Sequence, residues 1–365
     1  MAGNKADPSL HRKPGLDLMR AIAVLLVMLS HYMNNFSYWL GLHPDHAWFY
    51  SGDLGVSLFF ALSGYLIGGI LLDILKQGGG QALLQRFLIR RWMRTLPLYW
   101  FWLAVSLLVF PPHGDRLTFL LHFATMTQNL WGPMPPGNWF AVSWSLPIEE
   151  WFYILFGSAA LLFVARGGET RSIWIPLVVF LVVPLALRAV DPRYLVFDGG
   201  HMNIVPLRLD EIAYGVLVVV LHRGGNRLLR HTRICMALGI GIVLTHWTLE
   251  GLQLPLTFLP VSLILRPTIM MLGCALCLPA AANLASLPRW LAWAARTVSR
   301  QSYALYLVHL TILVDVVQAF WTTHPETTLP AMAMALVLPF LVAELLCRGI
   351  EQPFMRLRPA QFPGQ

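Results

Sequence analysis

The 365 residues are 57% hydrophobic and only 12% charged, with a formal net charge of +8. A soluble domain carries about a quarter charged residues, which excludes a water-soluble globular enzyme, and no stretch is long enough for a separate soluble domain. The basic balance would suit nucleic acid, but in so apolar a chain the placement of the charges matters more than their sum, and no nucleic-acid partner is expected.

Apolar runs of about twenty residues recur along the chain, each long enough to cross the hydrocarbon core. They must be helical, because nothing in lipid satisfies an exposed peptide group. The expected fold is an all-α integral membrane protein, a bundle of about ten transmembrane helices. The spans fall near 16–35, 54–75, 96–111, 143–165, 172–189, 205–221, 234–250, 256–284, 302–321 and 330–347. The third looks short, and the eighth is interrupted by Arg266-Pro267. The leading fifteen residues carry a basic head, but the apolar run that follows has no small-residue cleavage site, so they do not resemble a signal peptide. Three regions follow: a cytoplasmic tail (1–15), a transmembrane domain (16–347) and a second cytoplasmic tail (348–365). With the N-terminus inside, all but five of the 26 Lys and Arg residues (Arg116, Arg188, Arg193, Arg208 and Arg266) fall in inner segments. Such a bias sets orientation and puts both termini in the cytoplasm.

Ionisable residues inside a membrane are costly and are functional candidates by default. In the first span Arg20 and His31 are eleven residues apart, about three turns, so they share a face with roughly 16 Å between them in depth. Asp17 lies one turn before Arg20 and can pair with it. Arg20 reads either as a snorkelling anchor or as a functional cation; His31, aligned with it on an apolar helix, reads as functional. The second span opens with Gly55-Val56-Ser57 and continues to Ser63-Gly64, small residues that permit close helix approach and, as a second reading, a backbone facing a ligand.

Arg86, Arg90, Arg91 and Arg94 form a cationic stripe at the mouth of the third span, suited to an anion such as the phosphates of CoA. Ordinary positive-inside placement explains them too. The fourth span begins Trp144-Ser145-Leu146-Pro147-Ile148-Glu149-Glu150-Trp151-Phe152-Tyr153. Glu149 is expected at the depth of His31, where a carboxylate would orient the imidazole. Glu150, with Trp144, Trp151 and Tyr153, reads as an interfacial residue. Arg208-Leu209-Asp210-Glu211 and Glu351-Gln352-Pro353 are edge clusters without an evident mechanism. Cys274-Ala-Leu-Cys277 has metal-like spacing but no His, Asp or Glu nearby, so it reads as packing and no metal is expected. Tyr303 and His309 lie on the ninth span, with no visible partner for the histidine.

Together these segments resemble the membrane acyltransferase 3 family of bacterial sugar and macrolide O-acyltransferases. The family's arginine or lysine, ten residues, then histidine is matched by Arg20 and His31. FFxLSGxL is matched from Phe59 to Leu66, including Ser63 and Gly64, and Arg-x-x-Arg by Arg91 and Arg94. WSLxxExxFY is matched from Trp144 to Tyr153, which makes Glu149 the family carboxylate, and SYxLYLxH from Ser302 to His309. Any one motif is weak; five in order along nearly the whole chain are specific.

The resemblance implies an enzyme of a bacterial inner membrane that moves an acyl group, foremost acetyl, from cytosolic acyl-CoA to a carbohydrate hydroxyl. The donor's phosphates would rest on Arg20, Arg90, Arg91 and Arg94, with Ser63 and Gly64 beside it. His31, supported by Glu149, would be the general base or, less directly, take the acyl group itself. Asp17, Tyr303 and His309 would support. The acceptor would be an exopolysaccharide or lipid-linked oligosaccharide, or alternatively a macrolide. Membrane lipids and other polysaccharide-biosynthesis proteins are the expected partners. Some relatives carry an SGNH esterase-like domain after the last helix; a stand-alone form is expected here. A glycan transporter or flippase would also place charges near midplane, but no internal repeat is evident.

Overall fold

The computed structural model describes residues 13–43, 46–135, 139–164, 173–191, 203–254, 259–360 and 362. Most of the N-terminal tail, and Arg166, Arg171 and Arg193 of the charge count, lie outside the described residues. Within them the chain is helical and contains no strand. The elements are α1 (Pro14–Trp39), α2 (His46–Lys76), α3 (Gln81–Val109), α4 (Arg116–Ala124), α5 (Ser145–Val164), α6 (Trp174–Val190) and α7 (Leu209–Arg223). Then come α8 (Arg227–Arg230), α9 (Thr232–Gly251), α10 (Pro260–Asn283), α11 (Arg289–Thr311), α12 (Ala319–Thr323), α13 (Thr328–Leu346) and α14 (Gln352–Arg356). A π-helical stretch, Ile312–Gln318, joins α11 to α12 without a break, and a second, Cys347–Glu351, joins α13 to α14.

Among the described residues seven helices are long and apolar enough to cross a membrane: 14–39, 48–76, 81–109, 232–251, 260–283, 289–323 and 325–356. The other three expected spans coincide with α5, α6 and α7. The third expected span is longer than its apolar core suggested. α3 runs unbroken from Gln81, so the arginines sit on the spanning helix itself rather than before it. Pro97 lies within α3; neighbouring helices and hydroxyl side chains can satisfy the carbonyl such a proline frees.

α2 is the axis of the bundle. It packs against α1, α5, α7, α9 and α10, and 72% of its apolar window is enclosed, against 22% for α9 and for the last long helix, whose remaining surface suits lipid. Glycine sets the spacing at its most intimate contact. A Cβ on Gly64 would lie 2.0 Å from the Ile212 carbonyl oxygen of α7, and one on Gly215 would lie 2.3 Å from that of Ala61. The two backbones therefore touch.

The Arg-Leu-Asp-Glu cluster proves to be an interior feature. Arg188 and Asp210, both fully buried, form a two-pronged ion pair at 2.8 and 2.7 Å. Arg208 donates to Glu211 and, at 3.3 Å, to Asp53, while Arg266 pairs with Glu250 at 3.2 Å. Three of the five basic residues that break the inside bias thus have partnered, buried charges. Partnering is what makes such a charge tolerable there.

Candidate active site

α1, α2, α3, α5 and α11 enclose a cavity into which Arg20, Ser63, Arg91, Arg94, Glu149 and Tyr303 all project. Six residues from five separate sequence segments therefore converge. Arg20 is held from behind by Asp17, at 3.5 Å, and by the Ser299 hydroxyl at 3.2 Å; Ser299 in turn donates to Asp17 at 2.9 Å. Arg91 lies over the ring of Tyr153, 5.7 Å from its centroid. The single phenolic proton of Tyr153 goes to Glu149, so the hydroxyl of Ser63, 2.7 Å away, must donate to Tyr153. A polarised chain Ser63, Tyr153, Glu149 results. Tyr303 anchors the opposite wall by donating to the Thr95 carbonyl at 2.8 Å.

His31 is not beside Glu149. No hydrogen bond joins them, and they line different cavities: Glu149 the arginine-bearing one, His31 two others further along α1. The partner of His31 is His309, whose Nε2 is 2.9 Å from His31 Nδ1. Matching helix depths placed Glu149 near His31, but depth says nothing about which face of α5 is turned to α1. Tyr306 and Val56 line both the arginine cavity and one of the His31 cavities, so they form the wall between the two. Tyr306 is fixed there by donating to the Val142 carbonyl at 2.8 Å and accepting from Ser145 at 2.7 Å.

Proton bookkeeping assigns the imidazoles. His309 is fully buried, and its Nδ1 is 2.9 Å from the carbonyl oxygens of both Leu305 and Tyr306. Carbonyls only accept, so this nitrogen carries hydrogen. A neutral ring, the form that burial favours, then has its lone pair on Nε2 and accepts from His31 Nδ1–H. The free nitrogen of His31, Nε2, is left with a lone pair. The π-helical stretch begins three residues after His309, and such distortions recur at functional sites.

Other expected residues lie elsewhere. Gly64 packs on α7 and does not face the cavity. The arginine stripe is split: Arg91 and Arg94 turn into the cavity, whereas Arg90 donates to the Pro359 carbonyl of the C-terminal segment. Glu150 is no interfacial residue. It is 4% exposed and accepts from the Thr95 hydroxyl at 2.8 Å. Trp144 stacks under the Arg208 guanidinium at 4.8 Å, and Tyr153 is buried. Tyr153, expected at the interface, and Tyr306, inside SYxLYLxH but given no role, both belong to the site; for Tyr306 the repeat of Tyr303 one turn earlier is the available signal. Among the described residues no group of three or more His, Cys, Asp or Glu is placed to hold a metal, and the four cysteines are buried and free.

The acyltransferase-domain family model matches residues 13–348 of this chain, which takes in every residue of both the arginine cavity and the histidine pair. The chain belongs to that acyltransferase family. The putative peptidoglycan O-acetyltransferase YrhL of Bacillus subtilis (strain 168) is 27% identical over 93% of this acyltransferase and 54% of its own length. The peptidoglycan O-acetyltransferase OatA of Listeria monocytogenes is 32% identical over 41% of this chain and 24% of its own, and the O-acetyltransferase OatA of Staphylococcus aureus 27% over 57% and 34%. The acyltransferase thus spans about half or less of the length of these curated relatives. No solved structure gives a significant match.

Proposed function

We propose that this acyltransferase moves an acetyl group from acetyl-CoA, bound from the cytoplasm, to a hydroxyl of a glycan reached from the other side of a bacterial inner membrane. The observation that carries the reading is the single wall, Tyr306 and Val56, between an arginine-lined cavity and a cavity bearing the free nitrogen of His31. The first, at roughly 100 Å³, is small, but its arginines suit the phosphates of such a donor. The cavities on the His31 side, roughly 540 and 770 Å³, are in the size range of small-molecule sites and can admit a sugar residue. The relatives named as peptidoglycan O-acetyltransferases support acetyl as the group and a cell-surface glycan as the acceptor.

In this mechanism CoA enters thioester first and its phosphates stop at Arg91 and Arg94. The pantetheine arm then crosses the Tyr306 wall, a reach comparable to the roughly 16 Å between Arg20 and His31. His31 Nε2 takes the proton of the acceptor hydroxyl as its oxygen attacks the thioester carbonyl. The tetrahedral intermediate collapses with loss of CoA thiolate, which takes from His31 the proton that came from the acceptor hydroxyl. Loss of such a base costs about 10²–10⁴-fold. Membranes carrying His31→Ala, matched for protein content, should therefore show that loss of labelled acetyl transfer from acetyl-CoA to endogenous glycan. Near-normal transfer would sink the assignment.

A further inference from the structure

The segment after the last long helix folds back onto α3. α14 packs on α3, and the Arg90 guanidinium ties down the carbonyl of Pro359. This contact brings Arg358 beside Arg90, Arg91 and Arg94. The Nε of Arg358 donates to the Met355 carbonyl at 3.0 Å, and the residue is half-buried. Burial, together with the charges of Arg90, Arg94 and Arg91, holds the Arg358 guanidinium below its ordinary range. Among the described residues no carboxylate lies within ion-pair distance of Arg91, Arg94 or Arg358. Glu351, buried beneath the same segment, makes no ion pair with them. Four clustered guanidiniums, Arg90, Arg91, Arg94 and Arg358, thus face three nearby carboxylates, Glu149, Glu150 and Glu351, none of them directly paired with the arginines, so the cluster keeps a positive excess that suits an anion.

The order of the arginines along the cavity matches the order of the charges on CoA. Arg91 and Arg94 line the cavity alongside Glu149 and Ser63; Arg358, on the C-terminal segment that Arg90 holds, lies beside them but outside the lining. A CoA that enters thioester first leaves its pyrophosphate deeper and its 3′-phosphoadenosine outermost. We propose that Arg358 binds the 3′-phosphate of CoA, so that the C-terminal segment forms the outer part of the donor site. The inference rests on the donor reading above. A 3′-phosphomonoester carries close to two negative charges at neutral pH, and the flat guanidinium can meet two of its oxygens at once.

The test is equilibrium binding of CoA and of 3′-dephospho-CoA to the full chain in nanodiscs, for the natural protein and for Arg358→Ala. The natural protein should bind CoA about tenfold or more tightly than dephospho-CoA. Arg358→Ala should weaken CoA by about that factor and leave dephospho-CoA unchanged, which also shows that the variant is folded. Equal weakening of both ligands would make Arg358 a structural strap and overturn the proposal, as would an unaltered preference for CoA. If the natural protein binds neither nucleotide, the donor reading itself falls.

Discussion

At the level of single side chains, the two carbonyls around His309 govern what His31 can do. They fix hydrogen on His309 Nδ1, and the lone pair that results on Nε2 holds His31 in the tautomer with a basic outward nitrogen. A neutral imidazole here takes the orienting place that a carboxylate fills in hydrolytic triads, without a second buried charge. His309→Phe removes the acceptor and should lower kcat by about 10²–10⁴-fold with little change in the KM for acetyl-CoA. His309→Gln, whose amide can still donate to the carbonyls and accept from His31, should keep much more. Equal losses in the two variants would reduce His309 to packing. The paired glutamates make a second residue-scale test. Glu149 faces the arginine cavity and holds the proton of Tyr153, while Glu150 turns about 100° away and bonds Thr95. Glu149→Gln should cripple transfer far more than Glu150→Gln, and the reverse order in a side-by-side assay would mean that the wrong carboxylate has been chosen.

Among the helices, α2 and α7 are the pair whose spacing leaves no tolerance. A methyl at Gly64 meets the Ile212 carbonyl at 2.0 Å, far inside contact distance, and both sides of the clash are backbone. Ser63, the preceding residue, points the other way, to Tyr153. Gly64→Ala should therefore push α2 off α7, lower the thermal midpoint of the detergent-solubilised protein and reduce activity together. Gly241→Ala on α9, where an added Cβ meets nothing within 4 Å, is the matched control and should leave the midpoint in place. A loss of activity in Gly64→Ala with an unchanged midpoint would favour a direct ligand contact at this glycine. The FFxLSGxL element thus combines two duties on successive residues, one facing the arginine cavity and one facing a helix.

For the whole molecule the decisive quantity is sidedness. The arginine cavity and the histidine cavities are displaced along the bundle, and one of the latter shares a wall with the former. If the charge bias orients the chain as proposed, acetyl-CoA reaches its site only from the cytoplasm. Sealed inverted vesicles, whose cytoplasmic face is outward, should consume externally added acetyl-CoA, and right-side-out vesicles should not until permeabilised. Activity with donor on the periplasmic face alone would refute this geometry. Replacing Arg91 and Arg94 together by Ala should raise the KM for acetyl-CoA, each charge-assisted contact being worth about 1.5–3 kcal/mol. The apparent affinity for the glycan should barely move.

Much of this was legible in the linear chain. Low charge and recurring apolar runs dictate a helical membrane bundle, because lipid leaves the backbone no other partner. The motif spacings picked out Arg20, Ser63, Arg91, Arg94, Glu149 and Tyr303, which share one cavity. Helical periodicity reports depth and relative face within one helix, and nothing about which helix lies opposite. For that reason only the tertiary structure could give His31 to His309 instead of Glu149, send Arg90 to the C-terminal segment, and bury Arg188, Arg208 and Arg266 against carboxylates from other helices. Each of those pairings except the local Arg208–Glu211 contact joins residues far apart in sequence, and the packing of the bundle is what brings them within reach.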